Sequence, residues 1–455
     1  MSEADDKLGL IDVAEMAVKR CESLGADEAE AFIQKQRGIE VVLERGEIQS
    51  ERSKTRQGIG IRLIKDKKLG FSYTSVLDKA TVERICRNAL RLAETSLSNP
   101  DWVSLPLPRK VPQTPAGAYD NDVANVSCED ALGLVIQGCD AVKRTDSRVS
   151  IDDGKFSAYA VEVAIANSHG ISLTEKGTGI SFVLVCMAKE NDAVSSFAYE
   201  YDISRTLKGF STERVGRLAA GKAAASLNPK SVETFEGDVL LNPDVAAEVL
   251  FGPVAGNVDA DNVQRKRSSW ADKIGGEVAD PKLTLVDDGL LPFGVGSSPF
   301  DAEGVPCRRT SLIDGGVLKG FLYDSYTANK ARAESTGNAA RGDYGGLPSI
   351  AISNLLVEPG AKSFESLVSE VDRGIVVSRF SGNVNSQSGD FSGLVKQANY
   401  IEGGEVKFPL KETMISGNTF QALKDIIEIG SERRATMMGV YTPPILLRHI
   451  KIVSK

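Results

Sequence analysis

The strongest constraint on this chain is an order of textures that runs through it twice. Residues Leu8–Leu24 carry Leu10, Val13, Met16, Ala17, Cys21 and Leu24 at helical spacing, and Gly25 follows as a stop. Short β-type runs come next, at Glu30–Gln36, Ile39–Glu44, Gly58–Lys65 and Leu69–Ser75, with glycine at the Arg37-Gly38 and Arg45-Gly46 breaks. Lys79–Leu97 then returns to helical spacing. The order restarts with a helix at Cys128–Arg144, β-type runs between Val149 and Tyr201, and a closing helix at Glu213–Leu227. Gly177-Thr178-Gly179-Ile180-Ser181-Phe182 in the second block echoes Gly58-Ile59-Gly60-Ile61-Arg62-Leu63 in the first. This suggests a duplication whose two sheets pair into one layer, with chance similarity of two glycines as the alternative. Neither G-x-G pair stands at a strand-to-helix turn, so neither is a dinucleotide fingerprint.

Five prolines between Asn99 and Pro115 mark a connector, because proline removes a donor and fixes φ without sustaining a helix. From Glu236 the chain becomes mainly β. Helices are expected at Val245–Asn257, Phe364–Val371 and Thr419–Ile427, and strands at Ile350–Val357, Ile375–Phe380 and Ile445–Ile452 among others. The expected class is α+β: a duplicated helix and antiparallel-sheet region, then a mainly β, barrel-like C-terminal domain. The parts are 1–98, a connector 99–118, 119–230 and 231–455.

A length of 455 residues exceeds what one core usually serves. A net charge of −8 argues against a nucleic-acid surface, and the one dense basic cluster, Arg265-Lys266-Arg267, reads as a solvated helix end. No apolar run reaches the roughly 18 residues of a membrane span, and the acidic start Met1–Lys7 does not resemble a signal peptide. The expectation is a cytoplasmic protein with no nucleic-acid or membrane partner. Six scattered cysteines without a CxxC pair fit reduced, mostly buried thiols.

Chemistry is scarce. His169 and His449 are the only histidines, no H-E-x-x-H pattern occurs, and no G-x-S-x-G elbow is present. Two polar, glycine-rich stretches remain. One runs from Ser335 to Gly346, where Arg341 offers a fork of donors for a carboxylate. Asn338, with Ser353 and Asn354 downstream, offers groups that hold peptide backbone, and Tyr344 lies in the same stretch. The other is Gly382–Gly393, read as a polar loop presenting Asp390 and Ser392. A salt-bridged surface loop and a solvated hairpin connection are the plainer readings of the two stretches.

Four motifs in order, Thr336-Gly337-Asn338 with Arg341, Ile352-Ser353-Asn354, Ser388-Gly389-Asp390-Phe391-Ser392 and Ile415-Ser416-Gly417-Asn418, resemble the TldD/PmbA family, once labelled modulators of DNA gyrase. The Gly58–Arg62 run is similar to the family's first domain. The resemblance implies a cytoplasmic metallopeptidase assembly of TldD-type and PmbA (TldE)-type subunits that acts on short or unfolded peptides. In that family the TldD-type subunit holds zinc through an H-E-x-x-x-H helix and a late cysteine. The corresponding helix here, Val245–Asn257, contains no histidine, and no cysteine follows Gly439. The resemblance therefore implies a PmbA-type subunit without catalytic residues or metal of its own, with zinc in a TldD-type partner. Asn338, Arg341, Tyr344, Ser353, Asn354, Asp390 and Ser392 would line the peptide channel or an interface. The alternatives are a metal-free homodimeric peptide-binding scaffold and, lowest in order, an independent carboxylate or serine hydrolase.

Overall fold

The computed structural model describes residues 9–454; Leu8 and the acidic start at Met1–Lys7 lie outside the described residues. The first block is α1 (Leu10–Ser23), β1 (Glu28–Glu44), β2 (Glu47–Lys65), β3 (Lys68–Thr74) and α2 (Lys79–Thr95). After the connector come a short α3 (Asn121–Ala124), α4 (Cys128–Thr145), β4 (Val149–Asn167), β5 (Ser172–Glu190), a two-residue β6 (Ala193–Val194), β7 (Ala198–Ser204) and α5 (Thr212–Ala225). The runs Glu30–Gln36 and Ile39–Glu44 are one strand, because Gly38 continues the ladder instead of turning it.

The two blocks share one antiparallel sheet in the order β3-β2-β1-β4-β5, with β7 also on β5. Its centre is β1 against β4, in unbroken register from Glu30 opposite Asn167 to Glu44 opposite Asp153. Alternation along the strands assigns the faces. Ala31, Ile33, Ile59, Ile61 and Leu63 pack with α1 and α2, while Val41, Leu43, Ile180, Phe182 and Leu184 pack with α4 and α5. Gly58, Gly60 and Arg62 alternate with that apolar set, so they face the other way.

The other face receives the C-terminal part. There the strands Phe235–Leu241, Arg373–Val384, Asp390–Glu402, Thr413–Asn418 and Ile445–Ser454 pair in a closed ring. Closure leaves those five without a free edge, which accounts for the barrel-like texture of the sequence. A helical segment, 243–258, packs on the ring, with Val245, Val249, Leu250 and Val254 wholly buried beside Ile375, Val377, Ile445 and Leu447. It is not a uniform helix: Ala247–Phe251 forms a π-helical turn between Pro243–Ala246 and Gly252–Val258. A second sheet of short strands, with Leu285–Asp288 near its middle, carries the loops that reach the first sheet.

Three expectations change. The run Ile350–Val357 is broken, with strands only at Ser349–Ile350 and Leu355–Val357. The late helix covers Thr419–Ala422 only, and Ile426–Ile429 is a strand on Ile445–Ser454. The polar stretch Gly382–Gly393 is chiefly strand: its arms pair from Gly382 opposite Gly393 to Val384 opposite Phe391, leaving a tight tip. Five of the six cysteines are buried and all six are free thiols. Among the described residues no helix is long and apolar enough to cross a membrane.

Candidate functional site

The loops 287–307 and 336–354 meet the open face of the first sheet and enclose a cavity of about 240 Å³. Its wall includes Phe32 and Glu175 from the sheet and Asp301, Cys307, Asn338 and Arg341 from the loops. The loops are held by carboxylates at the end of strand Leu285–Asp288. Asp287 accepts from Asn338 Nδ2 at 2.7 Å and from the Ser353 backbone N–H at 2.8 Å. Burial pushes the Asp287 carboxyl up to about 6, against the pull of those two donors. Asn354 has no exposed surface; its amide donates to Asp288 O at 2.7 Å and its oxygen accepts from Gly296 N–H at 2.9 Å. These bonds draw Ser353 and Asn354 out of the ladder and explain the break in the expected strand.

Beside the cavity lies a buried ion cluster that joins sheet to loops. Arg62 Nη2 donates to Glu30 Oε2 at 2.6 Å and to Glu303 Oε1 at 2.9 Å. Arg341 donates to the other Glu30 oxygen and to Gly346 O at 3.1 Å, with its guanidinium 4.9 Å over the Phe32 ring. Two arginines and two glutamates balance in charge, which such burial requires. Burial opposes the Arg62 charge, but Glu30 and Glu303 outweigh it and raise its pKa above the ordinary value. Burial dominates at Arg341, whose pKa is lowered. Burial, helped by the Glu303 charge, also raises Asp301, which accepts backbone N–H donors from Glu303, Val305 and Ala339. Glu175, which accepts from the Ser298 hydroxyl, and Cys307 are likewise raised by burial.

The glycines of the first sheet acquire a purpose here. A Cβ on Gly58 would stand 2.3 Å from the Tyr344 ring, and one on Gly60 would stand 2.1 Å from Tyr344 O. The open face therefore accepts the Ser335–Gly346 stretch only where side chains are missing. In the second block Gly177 makes room for Arg205, and Gly179 for Tyr159.

Of the residues singled out from sequence, Asn338, Arg341 and Ser353 line this one cavity. Asn354 lies within the same loop system, and Tyr344 packs over the first sheet, its ring 6.4 Å from that of Tyr73. Asp390 and Ser392 belong to a different place. Asp390 is exposed at the hairpin tip, accepts from Asn418 Nδ2 at 2.9 Å and from the Ser388 hydroxyl at 2.7 Å, and is held below the usual carboxylate range by both. Ser392 is exposed in the ladder opposite Asn383 and Ser416. Glu30, Arg62, Asp287 and Glu303 escaped the sequence reading. Glu30 and Arg62 carried a signal, each being the one charge within a locally apolar run, Ala29–Ile33 and Ile59–Ile64.

Neither histidine joins a metal set. His169 lies 2.7 Å from Glu28 and 3.1 Å from Ser104 at the β4–β5 turn, and His449 is exposed at positive φ on the last strand. Among the described residues no group of three or more His, Cys, Asp or Glu side chains could hold a metal ion. On the helical segment 243–258 only Asp244 and Glu248 are ionisable. Asp244 accepts from the Tyr201 hydroxyl, and burial raises both carboxyls. Those two residues do not make up the nitrogen and sulfur donor set expected of a family zinc site.

One antiparallel sheet built by two helix-flanked blocks thus packs on a β-ring body through glycine-lined contacts. Residues 29–93, 121–227 and 234–454 match family models described as domain 1, the central domain and the C-terminal domain of PmbA/TldA metallopeptidase. The chain belongs to the PmbA/TldD family. It is 28% identical to the metalloprotease PmbA of Escherichia coli O157:H7, over 94% of this chain and 93% of that protein. An uncharacterized protein of Methanocaldococcus jannaschii is also 28% identical, over 90% of this chain and 94% of its own length. The crystal structure of TldE from Thermococcus kodakarensis superposes with a TM-score of 0.91 at 26% identity, covering 97% of this chain and 100% of that one.

Proposed function

We propose that this chain is the zinc-free, PmbA (TldE)-type subunit of a cytoplasmic metallopeptidase complex. It shapes the peptide channel and supports a zinc-bearing TldD-type partner that cleaves short or unfolded peptides. The observation that carries this reading is the chemistry of the helical segment 243–258. Its inward face is Val245, Ala246, Val249 and Leu250, all buried, and it has no histidine with which to hold zinc. Likeness to TldE supports the same assignment. The groove around Asn338, Arg341 and Ser353 is the part of this chain best placed to hold peptide backbone, because it combines a cavity with polar side chains in its wall.

The E. coli relative is itself named a metalloprotease, so catalysis by this chain alone is the rival reading. The test is peptide cleavage by the purified chain, by a TldD-type protein and by their mixture, with zinc measured in each. Cleavage and zinc should appear only where the TldD-type protein is present. Chelator-sensitive cleavage by this chain alone would overturn the proposal. Stable self-association with no gain on mixing would favour the homodimeric peptide-binding scaffold instead.

A further inference from the structure

The first sheet ends in an unpaired edge. β3 covers β2 only from Ile59 to Lys65, and β1 is engaged by β4 on its other side, so Glu47–Gln57 has no outer neighbour among the described residues. Such an edge offers a row of free N–H and C=O groups to any extended segment.

Its side chains are sorted by charge. From Glu51 to Arg56, Arg52, Lys54 and Arg56 alternate onto the face away from the helices and Glu51 falls on the other; beyond the bulge at Val42/Leu43, Glu47 returns to the basic row's face opposite Glu44, at the far end of the strand. The one acid across from the basic row is Glu40, opposite Arg52, and it is shared between Lys54 at 3.2 Å and Lys155 at 2.7 Å. The same face opens into a groove of about 460 Å³ whose walls include Lys54, Arg56, Lys155, Tyr159, Val183 and Met437. Met437 and Tyr159 are exposed there. A cationic rim beside an apolar wall is unusual on a chain of net charge −8.

The geometry points to this edge as a docking strand for an extended, acidic segment of another polypeptide, which adds to β2 and lays alternate carboxylates over Arg52, Lys54 and Arg56. A second copy of the chain pairing through the centre of the basic row, Glu51–Lys54, fits poorly. Antiparallel self-pairing about Glu51 or Arg52 sets that residue against itself, about Ser53 sets Arg52 against Lys54, and about Lys54 sets Lys54 against itself. Like charges directly opposite are destabilising. The inference stands apart from the metallopeptidase reading, since it concerns a different surface.

The experiment is fluorescence anisotropy of the full chain with a labelled peptide alternating glutamate and threonine, beside a lysine–threonine peptide and a glutamate–threonine peptide N-methylated at alternate residues. The acidic peptide should bind, weakening by roughly tenfold or more in about 0.5 M salt and in an Arg52→Gln/Lys54→Gln/Arg56→Gln variant. The basic and N-methylated peptides should not bind. Equal binding of acidic and basic peptides, or no binding of the acidic one, overturns the inference without recourse to any variant. So does self-association of the chain that the triple variant abolishes, because the occupant is then a second copy.

Discussion

Arg62 of the first sheet donates to Glu303 of the C-terminal part at 2.9 Å, and their side chains are only 4% and 1% exposed. This pair crosses the seam between the two halves and is anchored again on Glu30. Replacing Arg62 with alanine strips the buried Glu303 of its bonded arginine and leaves Glu30 to Arg341 alone, which costs about 3–5 kcal/mol where a buried pair is broken. Denaturant unfolding should show that loss, and Arg62→Lys should recover little because one ammonium cannot reproduce the fork. A loss below about 1 kcal/mol would mean the cluster is not structural.

Gly60→Ala places a methyl group where Tyr344 O stands, 2.1 Å away. Because the obstacle is backbone, the 341–346 loop must move, at a cost of about 1–3 kcal/mol. Proteolysis within that loop should quicken. Gly221→Ala, in α5 with nothing near its added Cβ, is the control and should be neutral or gain up to about 1 kcal/mol. Similar outcomes at both positions would refute the close-approach account.

Asp287 makes stability depend on pH in a defined direction. Its carboxyl ionises near 3.8 when unfolded and near about 6 when folded, because burial penalises the charge. Between those values the folded chain keeps a proton that the unfolded chain has released. Stability from this group therefore falls as pH rises through that window, by roughly 3 kcal/mol in all, and stays low above it. Unfolding curves of wild type and Asp287→Asn from about pH 4 to about pH 7 should differ in slope over this window. Parallel profiles would show that Asp287 does not titrate as described.

At the hairpin tip, Asn418 Nδ2 donates both to Ser388 O at 2.8 Å and to Asp390 at 2.9 Å. Asn418→Ala should free residues 385–389 while lowering global stability by only about 1 kcal/mol, since the site is exposed. Hydrogen exchange should accelerate at the tip and not in the ring strands. Unchanged exchange at Gly389 would contradict this.

Much of the first sheet was legible because period-two and helical apolar spacing are local properties, as at Ile59, Ile61 and Leu63 against Val82, Ile85 and Ala89. The glycine echo was visible too. Its reason was not, because Gly60 is shaped for Tyr344, a partner far along the chain. The run around Ser353 and Asn354 reads as strand by composition, yet Asp287 and Asp288 compete for those residues and win. Leu423 and Ile426 suit a helix face equally well, and only pairing with the last strand decides for Ile426–Ile429. For the candidate site, Asn338, Arg341 and Ser353 stood out by type, whereas the acids that hold them are single residues without a pattern.

The unbroken register of β1 on β4 has a mechanical consequence. The two blocks are shackled along a full strand length, and pulling them apart would shear a whole row of backbone bonds at once. They should respond to load as one plate. Motion of that plate relative to the C-terminal part would then be taken up at the seam to which Arg62, Glu30, Arg341 and Glu303 belong, not within the sheet.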